Sequence, residues 1–121
     1  MESGGILLTD LTVVAFAKEL GSEKPAPGGG SASALAGALA SSLVKMVAHL
    51  SGDEQGELTS KADSLFSRLI HLVNRDTEAF NQVMASFRLP KGTGEEKKAR
   101  RLAIQHATRF ATEVPLQIME I

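Results

Sequence analysis

The 121-residue sequence contains no cysteine, which excludes a disulfide framework, a thiol nucleophile and a cysteine-ligated metal site. Tryptophan and tyrosine are also absent, and the five aromatic residues are all phenylalanine, which leaves little surface for stacking on nucleic-acid bases. The formal net charge is −1, so there is no basic excess, and we expect no nucleic-acid partner. Residues 1–5 lack the basic segment and the long apolar run of a signal peptide. Together with the absence of cysteine, this favours the cytoplasm as the location of the protein.

Hydrophobic residues make up 43% of the chain and charged residues 22%, which suffices for the core of one small domain. The apolar residues recur at helical spacing in four segments. We predict an all-α fold, a bundle of long antiparallel helices, in a single domain spanning 1–121. The helices are predicted from Thr9 or Thr12 to Gly21, from the glycines or Ser31 to Leu50, from Glu57 to Phe87, and from a Thr93–Glu96 capping box through a kink at Pro115.

The least ordinary stretch is Pro25–Ser31, in which two prolines end one helix and three glycines precede the next. The glycines predict backbone angles that are closed to other residues. The helix after them would begin with free N–H groups and a positive dipole end, which suits an anion. An ordinary turn is the other interpretation, since the stretch matches neither a Rossmann fingerprint nor a Walker A loop.

The predicted second helix has a face of large apolar side chains and a nearly opposite face of small ones. The large face consists of Leu35, Leu39, Leu43, Met46 and Leu50, and the small face of Gly30, Ala34, Gly37, Ser41 and Ala48. We expect both faces to be buried. The small face and the long third helix together offer more apolar surface than one short bundle covers, which predicts a homodimer. A membrane span is disfavoured because Lys45 and His49 lie one turn apart and no Trp or Tyr flanks the helix.

Asp76 interrupts the apolar stripe of the predicted third helix, between Val73 and Phe80. A carboxylate in that position needs a structural partner, a proton or a solvated cavity. One interpretation is structural, a buried Asp paired with Lys, Arg, His or a neighbouring helix end, and the other is a carboxylate that faces a ligand or accepts a proton. No pair of His, Asp or Glu residues has a convincing metal-ligand spacing, and Ser31 has no ordered His and Asp partners for a hydrolase triad.

Four ordered segments resemble one known family. Pro25-Ala-Pro-Gly-Gly-Gly-Ser31, followed by Ala34-Leu-Ala-Gly-Ala-Leu-Ala40, is similar to the opening motif of the cyclodeaminase/cyclohydrolase family of folate enzymes. The segments Asp76-Thr-Glu-Ala-Phe-Asn81, Arg88-Leu-Pro-Lys91 and Glu113-Val-Pro-Leu116 resemble later segments of that family in the same order. The resemblance covers the chain from Leu11 onward.

The resemblance implies a dimeric helical bundle that binds reduced folate in a cleft, with a tetrahydrofolate derivative as substrate and no metal or redox cofactor. The implied reaction is either the cyclodeamination of 5-formiminotetrahydrofolate to 5,10-methenyltetrahydrofolate, with release of ammonia, or the methenyltetrahydrofolate cyclohydrolase reaction. It also implies a place in histidine degradation, a fused or separate formimidoyltransferase domain, and a family domain that continues past Ile121. A non-catalytic helical scaffold of the same fold is the alternative.

Under this resemblance Asp76 is the candidate catalytic carboxylate, which would stabilise a cationic one-carbon unit and move a proton. Hydrogen-bond donors for the pterin or a carboxylate are expected from the glycine-rich turn. Arg88 and Lys91 are candidates for binding the anionic glutamate tail, and Phe80 for packing on a flat ring. The candidate substrate-binding residues are thus Gly28, Gly29, Gly30, Ser31, Phe80, Arg88 and Lys91.

Overall fold

A computed structural model describes residues 7–53 and 55–121. After a short 3-10 helix at Leu8–Asp10 come four α-helices, α1 (Val13–Leu20), α2 (Gly29–Leu50), α3 (Glu57–Phe87) and α4 (Gly94–Met119). No strand occurs in the described part of the chain, so the all-α prediction is confirmed. The expectation about residues 1–5 lies outside the described residues.

The ends of the helices follow their local sequence signals. Thr12 caps α1, because the N–H of Ala15 donates to its Oγ1 at 3.0 Å. The capping box of α4 is formed as predicted: the N–H of Glu96 donates to Thr93 Oγ1 at 3.1 Å, and the N–H of Thr93 donates to Glu96 Oε1 at 3.0 Å. Helix α4 continues through Pro115 to Met119, so the proline does not end it.

Helix α3 is the central element, and α2 packs along it in the antiparallel direction. Ser31, near the start of α2, contacts Val73, whereas Lys45, near the end of α2, pairs with Asp63 at 2.8 Å. Residues later in α2 therefore contact residues earlier in α3, as expected for antiparallel helices. Gly37 lies between these contacts, where a Cβ would be only 3.0 Å from a methyl group of Leu69. Small residues thus let the two helices approach closely.

Helix α4 packs on another side of α3, also antiparallel. The guanidinium of Arg75 lies 4.4 Å from the centre of the Phe110 ring, and Arg100 donates to the carbonyl of Phe87 at 3.3 Å. Helices α2 and α4 are consequently parallel to each other, with α3 between them. The antiparallel bundle predicted from the sequence is confirmed.

The core lies where these three helices meet and is closed by the N-terminal segment. Thr9 and Asn74 tie that segment to α3 through two hydrogen bonds of 3.0 and 3.3 Å. The buried apolar residues of the core are Leu8, Phe16, Ala34, Ala38, Leu69, Leu72, Val73, Ala79 and Val114. They fix the relative positions of α2 and α3, and with them the turn that precedes α2.

The two faces of α2 differ in burial, and here the sequence prediction is partly wrong. The small face is packed against α3, as expected: Ala34 and Ala38 are fully buried. Most of the large face is not covered by the described residues: Leu39, Leu43, Met46 and Leu50 are between 50% and 81% exposed, whereas Leu35 is half-buried and packs against the core. Helical periodicity identified both faces but could not show which of them meets α3.

Helix α2 is also the one described helix that is long and apolar enough to cross a membrane, with a mean hydropathy of 1.4 in its most apolar window. A core helix of a water-soluble domain passes the same test. Lys45 forms its ion pair with Asp63 in the last turns of α2, and a charged pair is unfavourable in a hydrocarbon environment.

Candidate functional site

The glycine-rich turn leads into the start of α2, and its glycines have ordinary backbone angles. Gly28 is the N-cap of α2 with φ −121° and ψ −160°, an extended conformation that other residues also adopt. Among the described glycines, only Gly52 has a positive φ. The prediction that Gly28, Gly29 and Gly30 need angles closed to other residues is therefore wrong.

The start of α2 nevertheless has the predicted free donors. The first helical hydrogen bond runs from the N–H of Ala32 to the carbonyl of Gly28 at 3.1 Å, and no side chain caps this end. The N–H groups of Gly29, Gly30 and Ser31 thus have no partner within the helix. They form the positive end of the α2 dipole.

Asp76 lies against this positive end. A Cβ at position 30 would collide with both oxygens and the carboxyl carbon of Asp76, whereas a Cβ at position 29 would meet nothing within 4 Å. The requirement for glycine at position 30 is therefore steric: it makes room for a carboxylate that arrives from α3. A negative charge beside a helix N-terminus is stabilised there.

The carboxylate of Asp76 is half-buried and has no ion pair or side-chain hydrogen bond with residues 7–53 or 55–121. The neighbouring Arg75 is directed elsewhere, to Glu78 at 2.7 Å and onto the Phe110 ring. No Lys, Arg or His among the described residues pairs with Asp76. The neighbouring helix end of the structural interpretation is present, because the carboxylate lies beside the start of α2. The same carboxylate lines the smaller of the cavities described below, where a ligand can contact it.

Ser31 has a structural contact that the sequence did not reveal. Its side chain is fully buried and donates to the carbonyl of Val73 at 2.7 Å, with Thr77 Oγ1 at 3.3 Å. This bond ties the first turn of α2 to the turn of α3 that carries Asp76. The whole residue is buried and its hydroxyl proton is already donated, so Ser31 fixes the start of α2 and does not reach the surface.

Two adjoining cavities lie beside the turn, and we call them together the cleft. The larger has a volume of about 590 Å³, within the roughly 300–1,000 Å³ typical of small-molecule sites, and the smaller about 150 Å³. The larger is lined by Lys24, Pro25, Ala26, Phe80, Asn81, Met84 and Arg88. The smaller is lined by Pro25, Ala26, Gly28, Asp76, Thr77, Phe80 and Ala111. Three shared residues, Pro25, Ala26 and Phe80, form the boundary between them.

The cleft brings together four of the predicted site residues: Gly28, Asp76, Phe80 and Arg88. Gly29, Gly30 and Ser31 are adjacent to it in the first turn of α2 but do not line it. Lys91 is exposed in the loop before α4 and lines neither cavity.

The sequence analysis missed several wall residues of the cleft. Thr77, Asn81 and Met84 follow one another at steps of four and three, which places them on one face of α3, next to the face that carries Asp76. Lys24 gave no such signal, because a lysine in a connection is ordinarily a solvated charge. The path of the chain between α1 and α2 brings it to the cleft.

The two cavities carry opposite charges. Among the described residues that line the smaller cavity, Asp76 alone has a charged side chain, whereas the larger is lined by Lys24 and Arg88 and by the amide of Asn81. Among the described residues, no group of three or more His, Asp or Glu side chains is arranged to hold a metal ion. The cleft therefore suits a long ligand that is cationic at one end and anionic at the other.

Comparison with known families decides the relationship. The family described as Formiminotransferase-cyclodeaminase matches residues 12–121, nearly the whole chain. The chain belongs to this family. The match includes all the helices α1 to α4 and every residue that lines the cleft.

Curated relatives come from bacteria, animals and an amoeba. A methenyltetrahydrofolate cyclohydrolase from Methylorubrum extorquens is 39% identical over 114 residues, covering 87% of this chain and 55% of the relative. A formimidoyltransferase-cyclodeaminase from Rattus norvegicus is 36% identical over 125 residues, covering 93% of this chain and 23% of the relative. The protein of that name from Dictyostelium discoideum is 34% identical, and the match covers 94% of this chain and 22% of the relative. The chain thus spans about half the length of the bacterial relative and under a quarter of the other two.

Proposed function

We propose that this chain carries a reduced-folate site that acts in one-carbon transfer. The reaction is either cyclodeamination of 5-formiminotetrahydrofolate to 5,10-methenyltetrahydrofolate, with release of ammonia, or the methenyltetrahydrofolate cyclohydrolase reaction. The observation that carries the proposal is the position of Asp76: an unpaired carboxylate on the wall of the cleft, held beside the start of α2. The names of the relatives provide independent support.

The chemistry of both reactions suits a carboxylate at this position. In cyclodeamination, N10 of the folate attacks the cationic amidinium carbon on N5, and ammonia leaves from the tetrahedral intermediate. Asp76 would stabilise the cation and carry the proton from N10 to the leaving nitrogen.

In the cyclohydrolase reaction, water adds to the cationic methenyl carbon. Asp76 would accept one proton from that water. The remaining hydroxyl proton of the adduct then moves to N5 as the bond from the carbon to N5 breaks, which gives 10-formyltetrahydrofolate. We propose that neither reaction uses a metal or redox cofactor. Both reactions would use the same residues of the cleft, so an activity assay is needed to distinguish them.

The test is a pair of assays on the wild-type protein. Ammonia release from 5-formiminotetrahydrofolate identifies a cyclodeaminase, and loss of the methenyl form with appearance of the 10-formyl form identifies a cyclohydrolase. Failure to bind either folate, in a protein that is folded by circular dichroism, would instead favour the non-catalytic scaffold.

We also propose a homodimer in which a second copy covers the large apolar face of α2. The support is the composition of that face: Leu39, Leu43, Met46, Val47 and Leu50 are all at least half exposed in the single chain. A contiguous apolar surface of this kind on a water-soluble domain marks an interface. The opposite face of α2 is already occupied by α3, so the copies would join across α2.

The proposed setting is cytoplasmic, as part of histidine degradation, with a fused or separate formimidoyltransferase domain that supplies the formimino substrate. The support for that partner is the name of the animal and amoebal relatives, formimidoyltransferase-cyclodeaminase, which combines a transferase with a cyclodeaminase. We expect no membrane partner, because covering the apolar face of α2 by a second copy leaves no apolar helix face for lipid.

A further inference from the structure

Two basic side chains, and no carboxylate of the described residues, line the larger cavity. Lys24 comes from the connection between α1 and α2, Arg88 is the C-cap of α3, and Asn81 lies on α3 about two turns before Arg88. All three present N–H donors, and none of the seven lining residues is acidic. The opposite polarity holds in the smaller cavity, which contains Asp76.

We propose that Lys24 acts with Arg88 as the anion-binding end of the cleft, where they hold the carboxylate tail of the folate and so orient its one-carbon end towards Asp76. This inference rests on the proposed folate function and assigns a role to Lys24. It also transfers the lysine contact expected at Lys91 to Lys24, because Lys91 lines neither cavity.

The position of Lys24 is set by contacts within its own segment. Its ammonium lies 3.1 and 3.2 Å from the two carboxylate oxygens of Glu19, and its backbone N–H donates to Ser22 Oγ at 3.2 Å. The pair with Glu19 is solvent-exposed, with the Lys24 side chain 63% exposed, so it stabilises the fold little. An ammonium has three donors, and a ligand carboxylate can therefore join or replace Glu19.

Arg88 has no ion pair with any described residue, and it follows the last residue of α3. Its guanidinium can bind a carboxylate through two parallel hydrogen bonds. Lysine and arginine thus line the larger cavity from two separate segments. This convergence distinguishes them from solvated charges on one helix face.

The separation of the two ends suits a long substrate. Asp76 and Arg88 are twelve residues apart on one helix, which corresponds to about 18 Å along the axis at 1.5 Å per residue. The arginine side chain reaches back towards the N-terminus and shortens that span. Phe80 lies on the wall of both cavities, where its ring would face the middle of the ligand.

The experiment compares two substrates. One is 5,10-methenyltetrahydrofolate, and the other is the same molecule with its glutamate replaced by an uncharged amide. Steady-state kinetics, or calorimetric binding in the absence of turnover, are measured for the wild type, Lys24→Met and Arg88→Met. Methionine retains most of the apolar stem but removes the charge. Lys18→Met, an exposed lysine of α1 that does not line the cleft, is the matched control.

We expect each of the two cleft variants to raise KM or Kd for the glutamate-bearing substrate about tenfold or more, the scale of one lost charge-assisted hydrogen bond, without lowering kcat. Neither variant should weaken binding of the amide analogue, and Lys18→Met should change neither substrate. Equal losses for both substrates, accompanied by a lower melting temperature, would make Lys24 a structural residue and overturn the inference.

Failure of this inference is distinguishable from failure of the proposed function. If the wild type converts or binds methenyltetrahydrofolate but Lys24→Met behaves like the wild type on both substrates, the role proposed for Lys24 in binding the carboxylate tail is wrong and the folate function stands. If the folded wild type binds neither substrate, the proposed folate function is wrong, and so is the role of Lys24 that rests on it.

Discussion

Replacing Gly30 by alanine should separate stability from activity. The added Cβ would occupy the position of the Asp76 carboxylate, so the carboxylate must move away from the start of α2. Mispositioning of a reacting group by about 1 Å lowers rates on the order of 10²-fold. We therefore expect kcat to fall by about 10², equivalent to about 2.7 kcal/mol of activation free energy.

The stability of Gly30→Ala should change much less. Alanine gains roughly 0.5–1 kcal/mol over glycine inside a helix, while loss of the carboxylate from the helix N-terminus costs roughly 0.3–1 kcal/mol. These contributions oppose each other, so the free energy of unfolding should stay within about 1 kcal/mol of the wild-type value. Urea denaturation followed by circular dichroism measures it.

Gly94→Ala is the matched control for this experiment. Gly94 is in the first turn of α4, where a Cβ would meet nothing within 4 Å, and it is remote from the cleft. That variant should keep wild-type kcat with equal or higher stability. A Gly30→Ala protein with wild-type kcat would refute the reasoning, because it would show that the observed position of the carboxylate is not needed for turnover.

Two further predictions concern α2. Gly29→Val should reduce folate binding, measured by calorimetry, more than helicity, since the added side chain would enter open space next to the cleft and not a packed contact; equal loss of both, or of neither, would contradict a binding role. Leu43→Glu should convert the proposed dimer to a monomer in light scattering across a concentration series, whereas Leu102→Glu, at an equally exposed leucine of α4, should not. A folded monomer in the wild type would contradict the dimer.

The helices were largely predictable from the sequence because their signals are local. The bounds of α3 follow from an uninterrupted apolar periodicity between two polar, glycine-containing breaks, and the observed helix is Glu57–Phe87 as predicted. The capping box of α4 depends on residues only three positions apart. Asp76 was found by the same periodicity, since a charged residue within an apolar stripe is visible without a structure.

Features that depend on distant contacts could not be predicted in this way. The reason for glycine at position 30 is a carboxylate 46 residues later in the chain, whereas the sequence suggested unusual backbone angles. The burial of the Ser31 hydroxyl depends on Val73 in the same way. Lys24 reaches the cleft through the path of an irregular connection, for which no periodicity exists.

The central claim, that Asp76 carries out the chemistry, is tested most directly by turnover of Asp76→Asn. The substitution keeps the shape of the side chain and removes the charge that interacts with the cationic one-carbon unit. Asp63→Asn is the control, because Asp63 is an exposed residue of the same helix that pairs with Lys45 away from the cleft. We predict that Asp76→Asn stays folded and loses roughly 10²–10⁴ in kcat, the scale of a positioned acid–base group, while Asp63→Asn keeps it. A folded Asp76→Asn protein that converts its folate substrate at the wild-type rate would contradict the account.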